Sequence, residues 1–165
     1  MEKQTSEAVK GWLQRYREAV RDSEALDSRV ANARAKAEAA RTSHLDGMPH
    51  GSGFSGDSLG AALARIDELE QEAVEARANA VALYNEIDAA IKQIDGPGWP
   101  DQRAVLRVRY LDLERWEGVA EVLFGQRDDY EERSDSFLRR VHKIHGAALA
   151  ALAEFVPLDE GQEIT

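Results

Sequence analysis

Apolar residues recur at a seven-residue spacing through positions 58–95. With Leu59, Ile66, Ala73, Ala80, Ile87 and Ile94 at position a, position d falls on Ala62, Leu69, Ala76, Leu83 and Ala90, and every one of them is apolar. A heptad sustained over this length is the signature of a coiled-coil helix. The preceding segment repeats it, with Val9, Tyr16, Ser23, Val30 and Ala37 at a and Trp12, Ala19, Leu26, Ala33 and Ala40 at d; Ser23 is the polar exception. The pattern predicts helices over 4–43 and 58–95. Asp57 or Ser58 is placed to cap the second, and Asp95-Gly96-Pro97 to end it. The intervening HLDGMPHGSGFSGD, residues 44–57, is rich in Gly, Ser and Pro and reads as a loop. Two helices of matched length joined by a loop make an antiparallel hairpin. Alanine fills so many seam positions that the helices can approach closely but bury little area, which predicts a further packing partner and a homo-oligomer formed through the hairpin.

After GPGWP at 96–100 the pattern changes to three shorter helical stretches. The first spans 101–113, with Val105, Leu106, Val108 and Leu111 apolar; the second spans 116–124, with Trp116, Val119, Ala120 and Leu123 on one side. The third ends near 155 and sets Leu138, Val141, Ile144, Ala148, Leu149 and Leu152 on one face. Two short helices, a turn and a third helix are the layout of a helix-turn-helix unit. The expected class is therefore all-α: a hairpin over 1–95, a helix-turn-helix over 96–156 and a polar tail over 157–165.

Composition narrows the function classes. The chain has no cysteine, which excludes disulfides and thiolate metal sites. No apolar run is long enough for a membrane span, and no apolar stretch near the N-terminus resembles a secretory leader, so a cytoplasmic protein without membrane contact is expected. The net charge of −10 is shared evenly between 1–95 and 96–165 and argues against a polybasic nucleic-acid coat. No Ser-His-Asp arrangement or isolated carboxylate pair stands out, so neither an enzyme nor a cofactor is expected. His142 and His145 stand three apart without a carboxylate or thiolate beside them, which is a poor metal site. The glycines between Gly47 and Gly56 lack the GK[ST] ending of a phosphate loop and follow no strand. Trp12 and Trp116 read as packing residues, and Trp99 as a docking contact between hairpin and C-terminal helices.

One stretch departs from the acidic average. Ser136 to Ala153 contains no acidic residue, and Arg139, Arg140 and Lys143 lie opposite the apolar stripe with His142 beside them. Cations on one exposed helix face suit phosphates, and arginine forks suit guanine edges. Val105-Leu106-x-x-Arg109-Tyr110-Leu111 followed by Trp116-Glu117-x-Val119-Ala120 resembles the start of region 4 of sigma-70-type factors. Val141-x-x-Ile144-x-x-x-Ala148-Leu149-x-x-Leu152 is similar to that region's recognition helix and the helical tail behind it. The whole chain, with its MPHGSGFSGD loop, also resembles a phage-borne family that joins a helical hairpin to such a sigma-like unit.

The resemblance implies that Val105, Leu106, Tyr110, Leu111, Trp116, Val119 and Ala120 are core, and that Arg139, Arg140, His142 and Lys143 contact double-stranded DNA. It implies a transcription regulator, with RNA polymerase as a further partner of the hairpin. A phage DNA-packaging or assembly protein, or a protein-binding adaptor without DNA contact, are the other readings. One departure separates them. Sigma-like units have a tight turn before the recognition helix, whereas here Gly125 to Asp135 intervenes with five carboxylates: Asp128, Asp129, Glu131, Glu132 and Asp135. Near a groove these would repel phosphate. They either fold away, with Ser134 or Ser136 capping the helix, or DNA binding is lost.

Overall fold

The architecture comes from a computed structural model that describes residues 2–45 and 56–157, with side chains over 5–42 and 58–157. Helix is the regular structure throughout these residues, and the fold is all-α. The elements are α1 (Glu2–Leu45), α2 (Gly56–Ile91), α3 (Trp99–Leu106) running into a π-helical turn (Arg107–Leu111), α4 (Trp116–Phe124) and α5 (Ser134–Leu152), which ends in a 3-10 turn (Ala153–Phe155). No described helix is long and apolar enough to cross a membrane.

The heptad register holds. Ile66, Leu69, Ala73, Ala76, Ala80, Ile87, Ala90 and Ile94 are buried, and Leu59, Ala62 and Leu83 are half-buried. Every a and d position of α1 is likewise buried or half-buried, the polar Ser23 included. α1 packs antiparallel on α2, as the Tyr16–Tyr84 ring contact at 5.5 Å and the Arg15–Glu86 ion pair at 3.1 Å record.

The helix limits differ from those expected. α1 reaches Leu45 and α2 starts at Gly56, so Asp57 and Ser58 fall inside α2 rather than at its cap. Most of the 44–57 loop, and all of the 157–165 tail beyond Pro157, lie outside the described residues. α2 stops at Ile91, short of Asp95, because its last turn tightens through Gln93 N–H to Ala90 O at 3.0 Å and Ile94 N–H to Ile91 O at 3.1 Å. Arg103 takes up the carbonyls this leaves free, donating from Nε to Ile94 O at 2.8 Å and from Nη2 to Lys92 O at 2.7 Å. Gly98 then turns the chain at φ 79°, a left-handed conformation open to glycine, and Pro100 sits in the first turn of α3.

Contacts divide the chain into two compact units, one of α1 through Arg17 together with the chain from Ala82 on, the other of Glu18–Val81. The second is hairpin alone, with a core of Leu26, Val30, Leu69, Ala73 and Ala76. The first holds two cores. In one, Val9, Trp12 and Leu13 of α1 and Ile87, Ile91 and Ile94 meet Leu106 and Tyr110 and the end of α5 at Ala148, Leu149 and Leu152. In the other, Val105 and Val108 meet Val119, Ala120 and Phe124 of α4 and Phe137 and Val141 of α5. α3 and its π turn are therefore a middle layer. Leu106 and Tyr110 face the hairpin helices; Val105 and Val108 face the other way.

That third layer explains two residues outside the seam. Leu13 and Ile91 both occupy heptad position e, yet both are fully buried. A two-helix seam needs only a and d; packing on more than one neighbour widens the apolar stripe to include e. Trp12 is buried too, but its indole Nε1–H finds no hydrogen-bond partner among the described residues. Leaving a buried donor unpaired costs about 1–3 kcal/mol.

Two substitutions in this core should behave differently. Leu152→Ala is expected to cost about 2–5 kcal/mol, as large-to-small changes at closed sites do. Trp12→Phe removes volume but also the unpaired donor, and is expected to stay within about 1 kcal/mol of wild type because the two effects oppose. Denaturant midpoints decide it, and a Trp12→Phe loss as large as that of Leu152→Ala would contradict the unpaired-donor account.

Candidate nucleic-acid interface

α5 is held from below by its own apolar stripe. Phe137, Val141, His145, Ala148, Leu149 and Leu152 are buried, and Leu138 and Ile144 are half-buried. Phe137 was not singled out by the sequence pattern, although it stands one turn before Val141 on the same stripe. It stacks on Phe124 at 5.1 Å and on Tyr130 at 5.7 Å. These contacts fix the rotation of α5 and so decide which residues face water.

The exposed side carries the cations. Arg139, Arg140, His142 and Lys143 are all exposed, and neither arginine nor Lys143 has an ion pair among the described residues. Helical spacing puts Arg139 and Lys143 one turn apart in the middle of the exposed arc. Arg140 lies toward one edge, its guanidinium 5.0 Å from the Phe124 ring centre. Arg140 and Lys143 also border a groove of about 420 Å3 shared with Asp101 and Gln102 of α3. His142 lies toward the other edge, its ring 4.7 Å from that of Trp116. The structure thus brings the four expected residues onto one face, while His145 points into the core.

Trp116 organises the side away from that groove. His142 and His145 both pack on its ring at 4.7 Å, and the Arg109 guanidinium lies 4.7 Å from its centre. The π turn positions Arg109: Asp112 N–H bonds Arg107 O at 2.9 Å, Leu113 takes a left-handed φ of 59°, and Arg109 Nη1 donates to Glu114 O at 2.7 Å. π-helix occurs mostly as single turns of this kind, frequently at functional sites. Trp99, read from the sequence as a docking contact, is instead 42% exposed and stacks under the Arg103 guanidinium at 4.2 Å. Arg103 ties α3 to the end of α2, and so does Arg107, whose Nε donates to Asp88 at 2.9 Å. Lys92 and Arg107 together hold the Asp88 carboxyl below its ordinary range.

The acidic segment is folded rather than open. Arg127 N–H to Phe124 O, Tyr130 N–H to Arg127 O and Arg133 N–H to Tyr130 O close successive turns at 3.1–3.2 Å. Gly125 permits the tight start, since a Cβ there would lie 2.4 Å from Glu121 O. Asp129 is paired with Arg127 at 3.4 Å and with Arg133 at 3.1 Å. Asp128, Glu131, Glu132 and Asp135 remain exposed around the start of α5. Neither expected serine caps that start: the N-cap is Arg133, it makes no side-chain cap bond, and Ser134 and Ser136 already lie in the helix. The turns leading into α5, with Asp135 in its first turn, are therefore acidic and its middle is basic.

Buried beneath the basic face is one polar pair. Tyr110 Oη and His145 Nε2 are 2.9 Å apart. Either the phenol donates to a bare Nε2 or the ring N–H donates to the phenol, so a neutral imidazole satisfies both. Burial, and then the charges of Lys10, His142 and Arg109, push His145 down to about 4, and burial pushes Tyr110 up to about 12. Among the described residues no group of three or more candidate ligands is assembled anywhere. No protein-family model, curated protein or solved structure matches the chain.

The His145 shift has a consequence for stability. Between pH 6.5 and about 4 the unfolded chain binds a proton on His145 that the folded chain refuses. Folding stability should fall as pH drops through that window, by up to about 3 kcal/mol in all. The Asp88 contribution is present above the usual carboxylate range and is lost only at lower pH, as the solution passes through its depressed value. Melting temperatures across pH 7 to 4 are expected to fall steeply in wild type and less steeply in His145→Gln. Equal slopes in the two proteins would contradict the assignment.

Proposed function

We propose that the protein is a sequence-specific, double-stranded DNA-binding transcription regulator of phage or prophage type, with α5 as its recognition helix. The observation that carries the reading is the exposed face of Arg139, Arg140 and Lys143, free of ion pairs among the described residues in a chain of net charge −10. Unpaired cations on a rigid helix keep their charge available for phosphate, and counterion release supplies the binding free energy. The resemblance of 105–120 and 141–152 to sigma region 4 supports the same assignment. In this reading Arg139 and Arg140 read base edges, Lys143 and His142 meet phosphates, and no chemistry is performed. The hairpin sets the oligomeric state of a homo-oligomer and offers the surface for RNA polymerase.

The acidic first turn shapes the docking. Recognition helices usually lead with their N-terminal residues. Here Asp128, Glu131, Glu132 and Asp135 would approach phosphate first in such a pose, so contact is assigned to the middle of α5, one to two turns further on. Those same carboxylates favour the adaptor reading, in which an acidic surface binds protein.

A shift assay with DNA from upstream of the protein's own gene, at stated salt, separates the two. Arg139→Ala or Arg140→Ala is expected to lose about 1–3 kcal/mol and to relax preference at one base position. Lys143→Ala is expected to weaken all sequences alike and to flatten the salt dependence by about one unit. Absence of wild-type binding at low salt, or equal binding by wild type and the Arg139/Arg140/Lys143 triple alanine variant, would overturn the recognition-helix assignment in favour of the adaptor.

A further inference from the structure

The hairpin unit of Glu18–Val81 has an asymmetry its own fold does not use. Leu63, Val74 and Val81 are 52%, 51% and 60% exposed, and all three occupy heptad position e or b of α2, on one side of the seam. On the opposite side α2 carries Arg65, Glu68, Glu72 and Glu75. The apolar side is bordered by α1 as well, because the two cross-helix ion pairs, Asp27–Arg77 and Arg34–Glu70, join e positions of both helices. Between them runs a groove of about 410 Å3 lined by Asp27, Ala31, Arg34, Glu70, Val74 and Arg77. The core behind it is thin, since two of the five residues of Leu26, Val30, Leu69, Ala73 and Ala76 are alanine. Hairpins of this kind commonly gain a full core by pairing into four-helix bundles.

The order of charges says what covers this side. Along α1 an acid, Asp27, precedes a base, Arg34, by seven residues; along α2 an acid, Glu70, precedes a base, Arg77, by the same seven. Because Asp27 is level with Arg77 and Arg34 with Glu70, the four form a checkerboard. A checkerboard meets its own copy with opposite charges facing when the copy is turned over about a two-fold axis lying in the face. Two such axes exist, one along the helices and one across them. The apolar residues choose between them. All three exposed ones belong to α2, so the axis across the helices, which lays the two copies of this α2 side against each other with Val74 at the centre, is the one they favour. In that arrangement Val74 meets Val74 beside the axis, Ala31 meets Ala31, Glu70 meets Arg77 and Asp27 meets Arg34.

We infer that the hairpin side marked by Asp27, Arg34, Glu70 and Arg77 is the contact with a second copy of the chain, α2 running antiparallel to α2 about an axis beside Val74. The interface is isologous, as a closed dimer requires. Its exposed ion pairs add little affinity individually; they set the register and exclude misaligned partners. This names the face for the self-association proposed above and is independent of DNA binding, so the shift assay can fail while this stands, and the reverse.

Three measurements test it on the full chain. By light scattering at micromolar concentration, wild type has the mass of two chains and Val74→Glu the mass of one, with helicity by circular dichroism unchanged; a monomeric wild type overturns the proposal. The quadruple variant D27R/R34E/E70R/R77E inverts the checkerboard, restoring every pair within the hairpin and with its own kind while opposing wild type. Mixed and re-equilibrated with wild type, it is expected to give two homodimers by native mass spectrometry, and a statistical share of mixed dimers overturns the register. The chain has no cysteine, so a single one reports geometry cleanly. Val74→Cys is expected to oxidise to a covalent dimer, because a disulfide needs Cα atoms about 4.4–6.8 Å apart, and Ala78→Cys, at position f, is not. Crosslinking at Ala78→Cys but not at Val74→Cys overturns the antiparallel arrangement.

Discussion

The packing of Leu106, Tyr110 and Leu152 against Leu13, Ile87 and Ile91 is the contact on which the unit of the two chain ends depends. A two-helix hairpin with an alanine-rich seam buries too little area to be rigid, and three short helices of the C-terminal segment enclose only a small second core. Each lacks what the other supplies. The middle layer, α3 with its π turn, is packed on two sides, one against the hairpin helices and the other against α4 and α5. Arg103 and Arg107 add directed bonds to the carbonyls of Lys92 and Ile94 and to Asp88, which fixes where α3 leaves α2. Burial supplies most of the stability in such an arrangement, and the charged bonds mainly set its geometry.

α5 inherits its orientation from both cores. Its first half, through Phe137 and Val141, packs with Val105, Val119 and Phe124, its second half with the hairpin helices, and His145 bonds Tyr110 between them. A neutral buried imidazole keeps positive charge out of the core, while the cations of α5 lie on the water side. The charge pattern of the surface is thus a consequence of packing: the apolar stripe takes one arc and leaves Arg139, Arg140 and Lys143 on the other. The acidic turn before them is braced by Arg127 and Arg133 around Phe137, and among the described residues Asp129 alone of its acids is ion-paired. An acidic start and a basic middle on one helix give this face a polarity along its axis, and any docked polyanion must respect it.

The heptads of α1 and α2 were legible because packing along a helical seam leaves a seven-residue trace in the sequence. Leu13 and Ile91 were not legible as core: position e is buried only if something packs beside the seam, and nothing local records a third layer. The four cations of α5 were legible through the absence of acids from Ser136 to Ala153. The fold of 125–133 was not, because its order comes from Tyr130, Arg127 and Arg133 closing over Phe137, contacts that run ahead of local propensity. The helix ends shifted for a similar reason. α2 ends at Ile91 because its last turn tightens and a distant guanidinium, Arg103, takes up the carbonyls of Lys92 and Ile94 just beyond it, and α5 starts without a serine cap because the preceding turns already run into it. Phe137 could have been found, since its spacing to Val141 continues the stripe.

The claim that hairpin ends and C-terminal helices share one core is tested most directly by native-state hydrogen exchange on the full chain. Amides around Val9–Leu13, Ile87–Ile91 and Ala148–Leu152 belong to one cooperative unit in this account. They should exchange with a common, highest opening free energy and lose it together in denaturant. Early opening of α3 and α5 as a block, while the α1 and α2 amides stay fully protected, would contradict it.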